Sequence, residues 1–480
     1  MDQNFGKKVV TGISWQFAER IMASAVTFIV SVILSRILDP GDYGVIAILM
    51  VFIAIADVFI TASFNTSLIQ KKDTDEVDYS SVFWFCLVFS IFIYFILFIT
   101  APFISDFYHQ EILSPLLRIL GLKVIISSLN SVQRAYVQKN MMFKKFFFST
   151  LIGTLISAVV GIYMAVKGYG PYALVGQTLT NAIIDTIVLW LTIDWHPAVL
   201  FDKSRLKPLI NFGSKMLAAS LLDTIYQNLR TLIIGKVYTT EDLAYYNKGR
   251  NLPEMLTTNI NSSAGTVLMS AMSNIQDDMV QLKNTLRKSL KLFSLVIMPL
   301  MFGLLATARN VIIVLYTEKW LPALPFMIIT CLMCSVEAIQ VINLQAIKSK
   351  GRSDIVLILE VIKKGYGIAI LLVTMQMGVY YIALGGLSQT VVALLCNTYP
   401  NVKLVNYKYS EQFGDVLPPL ICSLIMCGAV YFVGSLISNN LIALIVQVIT
   451  GVLLYVLLSY FIQRENFNEV LKLLDKFRRR

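Results

Sequence analysis

Long apolar runs separated by short polar breaks fill the chain from residue 12 to residue 462. The first two, Gly12–Leu38 and Gly44–Ile69, are joined by the tight polar turn Leu38-Asp39-Pro40-Gly41-Asp42-Tyr43-Gly44. Each holds roughly 25 residues, enough to cross a ~30 Å hydrocarbon layer with some tilt. The same criterion predicts about fourteen spans in all. The first half continues with Tyr79–Thr100, Ile112–Val137, Phe146–Val166 and Pro171–Ile193. The second half opens with Leu209–Val237 and Leu243–Met272, the most polar of the set. Thr285–Ala308, Pro322–Ile347, Ile355–Met375 and Val379–Tyr399 follow, then Asp415–Ile437 and Leu441–Ile462.

The opening hairpin recurs. About 200 positions on, Gly235–Ala244 lines up with Ser35–Gly44 and keeps a basic residue, an Asp and a small residue in register. A second echo pairs Ala135–Lys139, closing the fourth span, with Ala346–Lys350, closing the tenth. Six spans separate the copies, an even number, so both enter the membrane in the same direction. The expected fold is therefore all-α and polytopic. It has two parallel six-helix lobes related by a pseudo-two-fold along the membrane normal, plus two extra C-terminal helices. The expected divisions are 1–200 and 201–410 for the lobes, 411–463 for helices 13 and 14, and 464–480 for a basic tail. A cavity is expected between the lobes, where repeat-built transporters bind.

Composition agrees with this picture. The chain has 480 residues, 56% of them hydrophobic and only 14% charged, and its mean hydropathy is +0.70. Its net charge of +11 falls mostly in alternate loops. One set of loops holds Lys71/Lys72, Lys139/Lys144/Lys145, Lys203/Arg205/Lys207 and Lys348/Lys350/Arg352, while the other holds little beyond Lys167, Lys236, Arg309 and Lys319. That asymmetry is the topological signature of cytoplasmic loops, not of nucleic-acid binding, and it places both termini in the cytoplasm. The first apolar run is too long for a cleavable signal peptide and reads as the insertion signal. The six cysteines all lie in apolar runs, and Cys331-Leu-Met-Cys334 has no second pair or histidine cluster beside it. With His109 and His196 far apart in loops, no metal site is expected, nor any cofactor.

Ionisable residues inside the spans carry the candidate chemistry. They include Arg20, Asp57, Lys123, Asp185, Asp223, Arg230, Lys248, Arg250 and Glu337. Oil rejects such groups, so they either pair structurally or line a hydrated cavity. The eighth span is the richest, with Tyr245-Tyr246-Asn247-Lys248-Gly249-Arg250-Asn251-Leu252-Pro253-Glu254 inside ~15 Å of helix. Proline there removes a backbone bond and favours a kink. Arg250 and Glu254 are spaced to pair, whereas Lys248 and Arg250 point to different faces. On the seventh span, Asp223, Tyr226, Gln227 and Arg230 share a face, with Asn228 close by. A guanidinium grips phosphate in two-pronged fashion, and Tyr and Asn suit sugar hydroxyls. The substrate-contacting candidates are thus Arg20, Lys123, Tyr226, Asn228, Arg230, Lys248 and Arg250. Asp57, Asp223 and Glu337 are the candidate proton or sodium carboxylates, with structural pairing as the alternative for each. No GxxxxGK[ST], GxSxG or HExxH motif occurs, and no loop is long enough for a catalytic domain. A transporter is expected, not an enzyme.

Four stretches then resemble a known family. These are GISWQFAERIMASAVTFIVSVILSRILDPGDYGVIAI in the first hairpin, QRAYVQKNMMFKKF after the fourth span, AYYNKGRNLP in the eighth and LYTEKWLPALPF before the tenth. They resemble Wzx-like polysaccharide flippases, the polysaccharide-transporter branch of the multidrug/oligosaccharidyl-lipid/polysaccharide flippase superfamily, and most closely the colanic-acid and teichuronic-acid exporter type. The resemblance covers nearly the whole chain. It implies a multi-pass protein of the bacterial inner membrane that moves an undecaprenyl-diphosphate-linked oligosaccharide from the cytoplasmic to the outer leaflet. It also implies two lobes rocking about a cationic cavity, whose cations carry over to Arg20 and Arg250. Membrane lipids, H+ or Na+ and the polysaccharide polymerase machinery are the implied partners. The second hairpin departs from the first at Thr239-Thr240, where the first has Asp39-Pro40. The competing readings are a cation-coupled drug exporter or a peptidoglycan-precursor flippase of the same superfamily. A polysaccharide polymerase or ligase comes after them, because its outer catalytic loop has no counterpart here.

Overall fold

The computed structural model describes residues 3–62, 64–71 and 73–464; for residues 1–14, 17, 20, 61–65, 72, 263, 264, 266 and 465–480 the side chains lie outside the description. The basic tail expected at 464–480 therefore falls outside it except for Arg464, and so does the side chain of Arg20. Every regular element among the described residues is helical. In order they are α1 (Gln3–Ile37), α2 (Pro40–Asp57), a π turn (Val58–Ala62), α3 (Phe64–Gln70), α4 (Glu76–Tyr108), α5 (Leu113–Lys139), α6 (Phe143–Val166) and α7 (Pro171–Thr192). Then come α8 (Lys203–Val237), α9 (Thr240–Ser273), α10 (Met279–Tyr316), a 3-10 turn (Glu318–Ala323) and α11 (Leu324–Ser349). The chain closes with α12 (Ser353–Thr374), α13 (Val379–Leu404), α14 (Tyr409–Ser435) and α15 (Asn440–Ile462). Taken with the π turn and α3, α2 forms one interrupted span, so the elements make up the fourteen long helices read from the sequence. Ten are long and apolar enough to cross a membrane, and α1 carries a shorter apolar stretch, Ile21–Ile37. The protein is thus a multi-pass helical membrane protein.

Two details differ from the hydropathy reading. The second span is not continuous: the ladder loosens into a π turn directly after Asp57. Such turns insert an extra residue into the helix and often mark functional positions. And α10 runs for 38 residues, about 57 Å at 1.5 Å per residue, well beyond a ~30 Å hydrocarbon core. Polar residues such as Lys283, Asn284, Arg309 and Asn310 interrupt the apolar run, so hydropathy alone starts the element too late and ends it too early.

Contacts divide the chain into a first unit ending at Ala244 and a second beginning at Tyr245. In the first unit α4 packs on α5, α5 on α7, and α6 on both α7 and α1. In the second, α10 packs on α11, α11 on α13 and α12 on α13. The pairs α4/α5, α5/α7 and α6/α7 thus reappear six spans later as α10/α11, α11/α13 and α12/α13, the stride read from the sequence. The appended α14 and α15 pack on each other and on α10.

The turn that opens each repeat closes by the same reciprocal cap. Asp39 is the N-cap of α2, and its backbone N–H donates to Asp42 Oδ2 at 3.2 Å. Two hundred residues on, the Thr239 hydroxyl donates to Asp242 Oδ2 at 2.9 Å and accepts from the Asp242 N–H at 3.1 Å. The departure at Thr239-Thr240 therefore preserves the cap, because Thr and Asp both satisfy a helix N-terminus. The two turns also pack on each other. A Cβ on Gly44 would lie 1.8 Å from the Thr240 carbonyl oxygen, so only glycine fits there.

The α7–α8 linker is strapped to the start of α4. The backbone N–H groups of Ala198 and Asp202 donate to Ser80 Oγ and Ser81 Oγ at 3.0 and 2.9 Å, and Trp84 Nε1 donates to the Ala198 carbonyl at 2.9 Å. Asp75, the N-cap of α4, is bonded by the Arg205 guanidinium, which holds its carboxyl down at about 2. In the second unit a ladder of charges joins α10 to α14. Lys283 meets Glu411 at 2.9 Å, while Arg287 and Lys291 meet Asp415 at 2.7 and 3.4 Å. The basic residues lie four apart on one helix face, as do the two acids opposite them.

Candidate functional site

A polar cavity of about 520 Å3 lies inside the first unit, among α1, α2, α5, α6 and α7. Its existence follows from two rows of side chains. On α5, Lys123, Ser127, Asn130 and Arg134 recur at spacings of four, three and four, which puts them on one face over about 16 Å. On α7, Gln177, Asn181 and Asp185 recur every fourth residue. Opposite them α6 offers the small residues Gly153, Ser157 and Gly161, again four apart. A Cβ on Gly161 would come within 2.9 Å of the Gln177 Cβ, and one on Gly153 within 3.4 Å of the Asn181 carbonyl. Small residues let membrane helices approach closely, and here the close approach presents the polar row of α7 to the cavity.

The charges in this cavity are paired. Lys123 Nζ lies 2.7 Å from Asp57 Oδ2, at the point where α2 gives way to the π turn. Both side chains keep about a fifth of their surface exposed. Asp185 is buried; it accepts from the Arg134 guanidinium, from Ser149 Oγ and, at 3.2 Å, from Asn130 Nδ2. Asn130 also donates to Thr186 Oγ1 at 3.0 Å. One carboxylate thereby ties α7 to α5 and α6. Arg134 is the functional candidate that the reading of the sequence missed. It sits in the QRAYVQK stretch near the end of a span and looks there like one more boundary cation. The signal that would have found it is its place in the row that starts at Lys123.

On α8, Asp223 accepts from Gln227 Nε2 at 2.7 Å, and Asn228 Nδ2 donates to the Thr224 carbonyl at 2.8 Å. Tyr226 and Arg230 are half-buried on the same helix, which packs against α2, α3, α4 and the π turn. Arg20 lies on α1, with its side chain outside the described residues; its neighbour Glu19 accepts from Thr150 Oγ1 at 3.1 Å.

In the second unit two stretches singled out in the sequence come together. Lys248 is buried with its ammonium 4.3 Å from the Tyr316 ring and 5.2 Å from the Trp320 ring. Gly249 faces the 3-10 turn, where an added Cβ would lie 2.6 Å from the Ala323 carbonyl oxygen. Tyr245 meets Trp320, and Tyr246 meets Phe326, edge to face. AYYNKGRNLP and LYTEKWLPALPF are thus two halves of one packing motif: an aromatic slot that takes a lysine and a backbone gap that takes a glycine. Next to it Arg250 pairs with Glu254 at 2.6 Å and with the Tyr246 hydroxyl at 3.0 Å. Glu337 lies half-buried on α11. The candidates therefore fall apart: Asp57 and Lys123 line the first-unit cavity with Arg134 and Asp185, Asp223, Tyr226, Asn228 and Arg230 lie on α8 outside its lining, Arg20 lies on α1, and Lys248, Arg250 and Glu337 belong to the second unit. Among the described residues no His, Cys, Asp or Glu cluster could hold a metal ion, and all six cysteines are free thiols.

Ion pairs and hydroxyls set inside a bundle of apolar spans define a multi-pass membrane protein with a polar interior. The whole fold matches that of the lipid II flippase MurJ in its inward closed conformation, with a TM-score of 0.76, at 17% identity, over 95% of this chain and 99% of that one. The particular family follows from the sequence comparisons. Residues 33–325 match the family model described as polysaccharide biosynthesis protein, and the chain belongs to that family. It is 22% identical to the lipopolysaccharide biosynthesis protein WzxC of Escherichia coli K12, over 91% of this chain and 89% of that protein. It is 22% identical to the succinoglycan biosynthesis transport protein ExoT of Rhizobium meliloti, over 97% of this chain and 95% of that protein.

Proposed function

We propose that this protein is a flippase. It carries an undecaprenyl-diphosphate-linked oligosaccharide repeat unit from the cytoplasmic to the outer leaflet of the bacterial inner membrane, with both of its own termini in the cytoplasm. The observation that carries the reading is the cavity in which Asp57–Lys123 and Arg134–Asp185 sit among apolar spans. Four ionisable groups are costly inside a lipid-facing bundle, and a cavity that collects them suits a passage for a polar head group. Membership in a family of polysaccharide biosynthesis proteins, with a transport protein among the relatives, supplies the substrate class.

In this reading the cations Arg20 and Arg250 hold the diphosphate, and Lys123, Tyr226, Asn228, Arg230 and Lys248 complete the substrate-contacting set. The chain itself performs no bond-making step. It replaces the hydration of the head group with fixed donors and acceptors while two six-helix lobes alternate in access. Asp57, Asp223 and Glu337 take the coupling proton or sodium ion. Protonating Asp57 would remove the charge that holds Lys123 and free its ammonium to donate to the oligosaccharide. The π turn after Asp57 and Pro253 in α9 are two points at which these helices can bend.

The test is a surface-polysaccharide assay in cells carrying Arg20→Ala, Arg250→Ala or both. Each variant should insert normally and lose polymer. Normal polymer from the double variant removes both residues from the site. Complementation of strains lacking a drug exporter or the peptidoglycan-precursor flippase separates the competing transport readings.

A further inference from the structure

Resting on that reading, we infer that the first-unit cavity is the subsite for the uncharged sugar of the substrate, not for its diphosphate. The argument starts from charge. The cavity holds two cations and two carboxylates, and each cation is paired with a carboxylate, Lys123 with Asp57 and Arg134 with Asp185. Its net charge is zero. A diphosphate entering it would have to break one pair and would still face the displaced carboxylate. A neutral polyol meets the same groups as donors and acceptors without breaking either pair.

The remaining lining points the same way. The side chains of Thr27, Ser127 and Gln177 face the cavity and have no hydrogen-bond partner among the described residues. A hydroxyl and an amide both donate and accept, as a sugar hydroxyl does, so these groups match a ring with several hydroxyls better than an anion that only accepts. Size agrees too: about 520 Å3 falls within the roughly 300–1,000 Å3 of sites that take small ligands. The second unit supplies the contrast. A cavity of about 440 Å3 there is lined mostly by apolar residues such as Val296, Leu300, Leu304 and Val448, with Thr307, Gln447 and Tyr455 as its polar side chains and no charged one.

Gln177 is the residue through which the fold sets this subsite. Gly161 leaves room for its Cβ and Cγ, and Asn181 and Asp185 continue the same row of α7. Substituting Gln177 should therefore change recognition of the sugar without disturbing the two ion pairs.

The test uses the full chain in nanodiscs and two synthetic probes, undecaprenyl diphosphate and undecaprenyl-diphosphoryl hexose, titrated by calorimetry. The wild type should bind the sugar-bearing probe more tightly. Ser127→Ala and Gln177→Leu should each weaken that probe roughly three- to tenfold, the worth of one hydrogen bond, and leave the bare diphosphate where it was. Ser127→Ala removes a single hydroxyl, so it keeps the test sound if Gln177→Leu fails to fold. Equal weakening of both probes would put the diphosphate in this cavity and overturn the assignment. So would unchanged binding of both, which would leave the cavity holding only water, or a wild type that does not distinguish the probes. In those three cases the flippase reading survives. A wild type that binds neither probe would instead sink that reading and the subsite with it.

Discussion

Asp185→Ala is the substitution whose consequence the structure defines most closely. The Asp185 side chain is 6% exposed and accepts three hydrogen bonds, from α5 through Arg134 and Asn130 and from α6 through Ser149. Two of the donors have a fallback, since Asn130 also bonds Thr186 Oγ1 and Ser149 also reaches the Asp185 carbonyl. The third, Arg134, has 44% of its side chain exposed, so water can partly replace its partner. The full penalty of about 3–5 kcal/mol for orphaning a buried charge is therefore too large. Interhelical hydrogen bonds in membrane proteins average about 0.6 kcal/mol, and three of them give a destabilisation of about 2 kcal/mol. Asp185→Asn, which keeps the shape and an acceptor, should cost about half as much. Equilibrium unfolding in mixed detergent micelles, followed by tryptophan fluorescence, measures both. A double-mutant cycle with Arg134→Gln should show a coupling of about 1 kcal/mol. Destabilisation under about 0.5 kcal/mol with no coupling to Arg134 would mean that Asp185 does not hold α5, α6 and α7 together, and the physical account of the cavity would fail.

Two further outcomes follow from other parts of the fold. Gly249→Val places a side chain against backbone atoms 2.6 to 2.8 Å away that cannot move aside, so it should cost more than about 3 kcal/mol and abolish stable expression, whereas Leu252→Met in the same helix should be tolerated. The Asp75–Arg205 strap should give an acid-sensitive stability: a carboxyl held down at about 2 contributes fully above the ordinary range near 3.8 and loses its contribution as pH falls through about 2. Unfolding midpoints between pH 5 and pH 2 should thus fall less steeply in Arg205→Met, and an unchanged slope would show that the pair does not contribute.

The local physics of single segments was legible in the sequence. Fourteen spans could be read because an apolar run of about twenty residues has few alternatives to crossing a membrane. The repeat could be read because the cap at Asp39–Asp42 and the one at Thr239–Asp242 use the same four-residue chemistry. Arg250–Glu254 could be read because partners four apart on a helix need no tertiary structure to meet. What only the tertiary structure decided are the encounters between segments far apart in the chain. Arg134 and Asp185 are 51 residues apart, and Asp57 and Lys123 are 66 apart. The aromatic slot for Lys248 is built from Tyr316 and Trp320, on another helix and the turn beyond it. Hydropathy states that a charge within a span must find a partner or water. Which of the two it finds depends on the helix that packs opposite, and that choice rests on where small residues such as Gly161 and Gly249 allow two backbones to meet.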